Sequence, residues 1–167
     1  MVVITDKIKA QMHRKVARKI YETALSTPSL TPRSQYELMS ALKRGDIALA
    51  FDGDLLIGWV VSTPHTKTCQ ELGMAFVHPD YRGEGTFIKL MDKLVHKKTV
   101  TIAATYEQRL VEILIENWSF KPTTLWCLFI KTKGKFVTAR LKSLQKTIAV
   151  SKHLRTQKPI YLIRVAK

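Results

Sequence analysis

Between Val77 and Phe87 the chain reads Val-His-Pro-Asp-Tyr-Arg-Gly-Glu-Gly-Thr-Phe, and two of its 7 glycines, Gly83 and Gly85, fall two positions apart beside Arg82. An apolar run precedes this stretch and an amphipathic one follows it, so the turn falls where a strand hands over to a helix. A helix start exposes backbone N–H groups at the positive end of the helix dipole. Glycine lets the backbone approach a bulky anion, and arginine adds a permanent charge with a forked donor set. The combination is suited to cradling a pyrophosphate. Other residues with chemical potential are more scattered. His13, His65, His78, His96 and His153 show no metal-type spacing, so no metal site is expected, and His65, in Ser-Thr-Pro-His-Thr-Lys-Thr, is expected to be a surface-loop residue. Cys69 and Cys127 have neither metal-type spacing nor the pattern of a disulfide framework, which fits a reducing cytoplasm.

Charge is distributed unevenly. The formal net charge is +15, yet residues 1–116 hold 16 Lys and Arg against 13 Asp and Glu, whereas residues 117–167 hold 12 and none. Glu116 is the last acidic residue. The first part resembles an ordinary soluble domain. The last part is composed to meet a polyanion, of which the phosphate backbone of a nucleic acid is the simplest, or else is a solubilising basic tail. The nucleic-acid reading rests on Lys131, Lys133, Lys135, Arg140, Lys142, Lys146, Lys152 and Arg155.

These residues need elements to hold them. At 167 residues with 46% hydrophobic content, the chain is expected to be one domain over 1–167 with a sizeable core. The N-terminal stretch turns polar too early for a signal peptide, and no apolar run has the length of a membrane span, so no membrane partner is expected. Ile8, Met12, Val16, Ile20 and Ala24 recur at four-residue steps and predict a helix over 6–25. Ser34 followed by Glu37, with Gly45 beyond, brackets a second helix. Asp52-Gly53 between two β-rich runs marks a hairpin. Strands are predicted over 71–78, 100–105, 123–131 and the final Pro-Ile-Tyr-Leu-Ile-Arg-Val-Ala, with helices after Gly85, over 108–118 and from Val137 onward. In this order a strand–helix–strand unit lies inside a mixed sheet, an α/β (α+β) architecture.

The Val77–Phe87 stretch resembles the acetyl-coenzyme A signature of the GCN5-related N-acetyltransferase (GNAT) superfamily, which runs roughly Val-x-Pro-x-Tyr-Arg-Gly-x-Gly-x-Gly. Val77, Pro79, Tyr81, Arg82, Gly83 and Gly85 match in register, and the resemblance extends over residues 46–131. It implies one mixed, twisted β-sheet flanked by helices, and acetyl-coenzyme A as co-substrate held by Phe76, Val77, Arg82, Gly83, Glu84, Gly85, Thr86 and Phe87. It also implies acyl transfer to an amine. The family polarises the thioester carbonyl with a backbone N–H of its splayed fourth strand. A carboxylate early in that strand is a common base, and Glu71 holds that place; the bland alternative is a solvated glutamate paired with a lysine. Tyr106, after the fifth strand, is the candidate acid, with Tyr161 and Cys127 as further candidates whose commoner role is packing. Against the family pattern, Phe87 replaces a third small residue, Ile115 stands where the acid tyrosine often lies, and Gln108 falls near an expected Asn.

The family closes its sheet with a tight hairpin. Here a basic segment, 131–159, with a predicted helix separates the last two strands and borders the acceptor side. Function is therefore expected to be acetyl-coenzyme A-dependent N-acetylation of an amine on a nucleic acid or linked to one, such as an aminoacylated transfer RNA or a modified base. A GNAT-fold protein that binds nucleic acid without transferring acetyl, and a small-amine acetyltransferase with a basic tail, are the alternatives. Trp118, Trp126 and Phe136 could stack bases, but Trp126, alternating within an apolar run, is expected inside.

Overall fold

The computed structural model describes residues 1–138 and 159–166. In chain order its elements are β1 (Val2–Thr5), α1 (His13–Ser26), α2 (Gln35–Arg44), β2 (Ile47–Asp52), β3 (Leu55–Pro64), β4 (Cys69–Val77), α3 (Thr86–Val95), β5 (Val100–Thr105), α4 (Gln108–Trp118), β6 (Lys121–Thr123), α5 (Leu125–Thr132) and β7 (Ile160–Val165). The strands form a mixed 7-stranded sheet in the order β1-β2-β3-β4-β5-β7-β6, flanked by helices. Residues divide into two compact units: 1–63 with 72–97, and 64–71 with 98–167. Strand β4 begins in the second unit and continues into the first.

In the first unit, α2 starts and stops for local reasons. Ser34 Oγ accepts from Glu37 N while the Glu37 carboxylate accepts from Ser34 N, and Gly45 ends the helix at φ 70. Helices α1 and α2 bury Val16, Ala17, Ile20, Leu38, Ala41 and Leu42 against Ile47, Leu49, Trp59 and Val61 of β2 and β3. Asp52 and Leu55 close the predicted β2–β3 hairpin. The first helix is shorter than its periodicity predicts: residues 10–12 form a 3₁₀ turn and α1 begins at His13. The extra strand β1, absent from the sequence reading, pairs antiparallel with β2. Val2-Val3-Ile4 is too short a run to show alternation.

One contact sets the spacing of β3 and β4. A Cβ at Gly58 would lie 2.9 Å from the Phe76 carbonyl oxygen and 3.3 Å from Leu90 Cδ1 of α3. Beside it, Trp59 stacks on Phe76 with ring centroids 4.6 Å apart.

In the second unit, β7 pairs antiparallel with β5 from Val100↔Val165 to Thr105↔Ile160, and with β6 on its other side. Cys69, Ile102, Leu128 and Phe136 form its core, with Tyr161 and Ile163 packed on them. The expected strand over 123–131 is a correction: residues 121–123 are strand and 125–132 are helix. Thr124 Oγ1 accepts from Cys127 N and caps α5, and Leu128 and Thr132, four apart, form its buried stripe. Short apolar runs of this kind do not distinguish strand from helix, and here a cap and an i,i+4 pair decide. Trp126, expected inside, is 70% exposed. Residues 135–138 open a further helix. The predicted helix beyond them lies outside the described residues.

Replacing Gly58 by alanine forces backbone to move. The expected cost is about 1–3 kcal/mol, the usual range for overpacking. Urea unfolding measures it, and an unchanged midpoint would show that β3 and β4 are not held at this spacing.

Candidate active site

The first unit carries the turn between β4 and α3. Pro79–Tyr81 form one 3₁₀ turn, with His78 Nδ1 accepting from Asp80 N at 3.4 Å. Arg82 Nε donates to the Val77 carbonyl at 3.1 Å, folding the arginine back over the end of β4 with one of its five N–H donors. Tyr81 Oη donates to Asp52 Oδ2 at 3.1 Å, tying the turn to the β2–β3 hairpin. The Met1 amino group and then this phenol hold the Asp52 carboxyl below its ordinary range, and the same bond raises Tyr81, so the phenol keeps its proton.

Gly83 and Gly85 sit at φ 87 and φ 73, and Gly85 is the N-cap of α3. Nothing lies within 4 Å of a Cβ built on either, so conformation requires glycine here and the space beside it is open. The first backbone bond of α3 runs from Lys89 N to Gly85 O, and the N–H groups of residues 86–88 lie ahead of it. Thr86 is buried, Phe87 half-buried, and Arg82 and Glu84 exposed. An open, positively polarised helix start with glycines at its lip fits a pyrophosphate. Val77 ends the strand, and the Phe76 ring packs inward on Trp59.

The second unit carries Glu71. Its Oε2 lies 3.2 Å from His65 Nε2, with side-chain exposures of 14% and 3%. A carboxylate only accepts, so with Glu71 ionised the proton between them belongs to Nε2. The expectation of a surface-loop His65 is therefore corrected. His65 N donates to the Cys69 carbonyl across the β3–β4 turn, and its ring lies edge-to-face with Phe136, centroids 5.6 Å apart. Sequence pattern held no sign of this pair, because the six-residue separation has meaning only once the turn is closed. Burial first, and then the Glu71 charge, push the Cys69 thiol up to about 11.

A second feature missed in the sequence lies further along β4. Met74 has φ 49, an uncommon conformation for a non-glycine residue, midway between Glu71 and Val77. Such a residue turns the neighbouring peptide groups away from the regular ladder.

Tyr106 is 44% exposed in the bend after β5. Tyr161 is half-buried with its ring edge on Phe136, and Cys127 is half-buried in the first turn of α5. Lys131, Lys133 and Lys135 converge with Lys67, Thr66 and Thr68 on a cleft of about 360 Å³. Arg140, Lys142, Lys146, Lys152 and Arg155 lie outside the described residues. A larger cleft of about 670 Å³ in the first unit has an apolar floor that includes Met12, Phe51 and Leu56, and Arg14, Lys15, Arg18 and Lys19 on its wall. Among the described residues no helix is long and apolar enough to cross a membrane, and no group of three or more His, Cys, Asp or Glu is placed to hold a metal.

No protein-family model and no curated protein matches the sequence. Solved structures do resemble it. The N-acetylglutamate synthase of Neisseria gonorrhoeae, complexed with coenzyme A and N-acetyl-glutamate, superposes with a TM-score of 0.69 at 14% identity; it covers 100% of this chain, which spans only 35% of the synthase. A GNAT-family acetyltransferase of Bacillus cereus gives 0.62 at 12% identity, covering 100% of this chain and 99% of its own. The diaminobutyrate acetyltransferase of Paenibacillus lautus, in complex with L-2,4-diaminobutyric acid and coenzyme A, gives 0.61 at 14%, covering 99% and 95%.

With its thiol raised to about 11, Cys69 should stay protonated and resist alkylation by iodoacetamide at pH 8, while the half-buried Cys127 reacts. Glu71→Gln should quicken Cys69 labelling modestly by removing the nearby charge. Peptide mapping reads both, and equal labelling of the two cysteines in the native protein would contradict this environment.

Proposed function

We propose that this chain, which has the fold of the GNAT N-acetyltransferases, transfers acetyl from acetyl-coenzyme A to an amine carried on, or linked to, a nucleic acid. The observation that carries the acetyl-coenzyme A part is the turn from Arg82 to Phe87. Glycines at positive φ open onto free space there, at the start of a 10-residue helix. The backbone N–H groups at that start would hold the pyrophosphate, and the Arg82 charge would sit beside it.

Bound acetyl-coenzyme A supplies a thioester; the amine nitrogen forms a bond to its carbonyl carbon as the carbon–sulfur bond breaks, the amine loses a proton and the sulfur leaves with one. The protein's part is to move those protons and to hold the carbonyl oxygen. Glu71, the more open member of its pair, takes the amine proton directly or through water. His65, behind it, is a positioning residue: with Glu71 ionised, Nε2–H donates to the carboxylate and fixes its orientation. The peptide groups turned aside at Met74 are the candidate donors to the carbonyl oxygen. Tyr106, exposed after β5, is the candidate acid for the departing sulfur.

The nucleic-acid part of the reading is supported by charge. Twelve basic and no acidic residues follow Glu116, and the described ones among them include three lysines of the four-lysine cleft. A second reading, nucleic-acid binding without transfer, is favoured by Ile115, an exposed aliphatic residue in the place where the family often has its acid tyrosine.

Calorimetry separates these readings. Coenzyme A should bind the native protein, and Gly85→Val should abolish binding while circular dichroism stays native. Unchanged affinity in the variant would displace the cofactor from this turn. Labelled acetyl-coenzyme A offered with aminoacylated transfer RNA, an amine-bearing oligonucleotide, spermine and diaminobutyric acid should label the nucleic-acid acceptors first. Preference for the small amines would overturn the acceptor class, and coenzyme A binding with no transfer would favour the second reading. Glu71→Gln should lower kcat at retained coenzyme A affinity.

A further inference from the structure

Helix α5 is built the wrong way round for a core element. It buries Leu128 and Thr132 and exposes Leu125 at 47%, Trp126 at 70%, Phe129 at 43% and Ile130 at 59%. These four occupy positions i, i+1, i+4 and i+5, one continuous face. The two rings on it are stacked, with centroids 5.7 Å apart and planes 10° from parallel, and Trp126 is the more exposed. A Cβ at Gly134 would lie 3.1 Å from Phe129 Cε2, so the glycine after the helix lets the ring lie against the backbone.

The end of the same helix is cationic. Lys131 lies in its last turn and Lys133 is its C-cap, held at φ 51. With Lys135, Lys67 and the Thr66 and Thr68 side chains they line the cleft of about 360 Å³. Lys98 Nζ donates to the Lys67 carbonyl at 2.9 Å, bringing another cation to that loop.

We propose that this surface docks a single-stranded nucleic acid, with phosphates in the lysine cleft and a base stacked on Trp126. The inference rests on the nucleic-acid part of the reading above and is independent of acetyl transfer. Two complementary features are paired within one unit. An exposed pair of parallel, stacked rings leaves a Trp126 face on which any base can stack, and a cationic groove in the same unit tracks the backbone. Leu125 and Ile130 flank the rings and shield a stacked base from water. A second copy of this chain is a poor occupant, because two such cationic faces repel. An anionic membrane would also answer the charge, but the lysines line a concave cleft and not a flat face.

Tryptophan fluorescence tests the inference cleanly. Trp59 and Trp118 are buried at 1% and 6%, so quenching by a solution ligand reports on Trp126. The protein, without acetyl-coenzyme A, would be titrated with a single-stranded 12-nucleotide oligouridylate, an abasic 12-mer of equal charge, a duplex RNA of equal length, and vesicles of phosphatidylserine and phosphatidylcholine. The oligouridylate should quench Trp126 and bind more tightly than the other three. If the four cleft lysines each meet a phosphate, its affinity should fall about 50-fold between 50 and 200 mM salt. Lys67→Ala with Lys133→Ala should roughly halve the log–log salt slope. Trp126→Ala should weaken oligouridylate roughly 5- to 150-fold and leave the abasic oligomer unaffected, while Trp126→Phe restores most of the loss. Equal binding of base-bearing and abasic strands, or of oligouridylate by native protein and Trp126→Ala, would overturn the platform. A blue-shifted Trp126 emission with vesicles, and tighter binding to them than to oligouridylate, would assign the surface to a membrane instead. None of these outcomes depends on coenzyme A, so failure of the transferase reading is seen separately in calorimetry.

Discussion

The passage of Gly58 beneath the Phe76 carbonyl governs where the turn from Arg82 to Phe87 can begin. At 2.9 Å from that oxygen there is no room for a Cβ, so β3 and β4 approach as only glycine allows. Leu90 of α3 presses on the same spot, and Trp59 stacks on the Phe76 ring. The last residues of β4 are thereby held from the strand side, the helix side and the core. Val77 then starts the turn from a fixed point, and Gly85 can present α3 with its first N–H groups outward. Loosening any of these contacts would blur the one feature on which the proposed pyrophosphate recognition rests, because hydrogen bonds from a helix start depend on position to within a few tenths of an ångström.

In the proposed reading strand β4 carries two kinds of chemistry. At its end the backbone would provide donors with little side-chain help. Near its start a side-chain pair, Glu71 held by a buried His65, is the one proposed to move protons. Met74 interrupts the strand between the two at φ 49. Strain of this kind is retained where the surroundings over-determine it, and here Met74 packs against the first unit's core. Chemistry would thus be divided between a rigid anion site and a proton-handling pair, which is the division that acetyl transfer to an amine calls for.

Much of this is legible in the sequence, and the parts that are not share a physical cause. Local signals read correctly: the Ser34–Glu37 capping box, the Asp52-Gly53 hairpin and the strand–turn–helix at Gly83 and Gly85 are each fixed by residues within a few positions. Val2–Thr5 and Leu125–Thr132 misled because short apolar runs carry no period of their own. The second was settled by Thr124 capping and by Thr132, whose hydroxyl donates to the Leu128 carbonyl. His65 looks like a surface residue in the sequence because its burial is produced by the folded turn to Cys69 and by Phe136, 71 positions away in the chain. The same error about α5 hid the exposed Trp126, since alternation in a strand would have placed it inside. The basic composition was visible at once; that three of its lysines meet Lys67 on one cleft was not.

The most direct measurement of the central claim is a residue-by-residue map of where coenzyme A touches the protein. In two-dimensional ¹⁵N–¹H spectra of the full chain titrated with coenzyme A, the account predicts saturable shifts largest at the backbone amides of Arg82 to Ile88, with smaller ones along β4 toward Glu71. Shifts concentrated at Lys67, Lys131, Lys133 and Lys135 with the α3 amides unmoved would show the phosphates held by charge alone, and would contradict the assignment of the turn as the cofactor cradle.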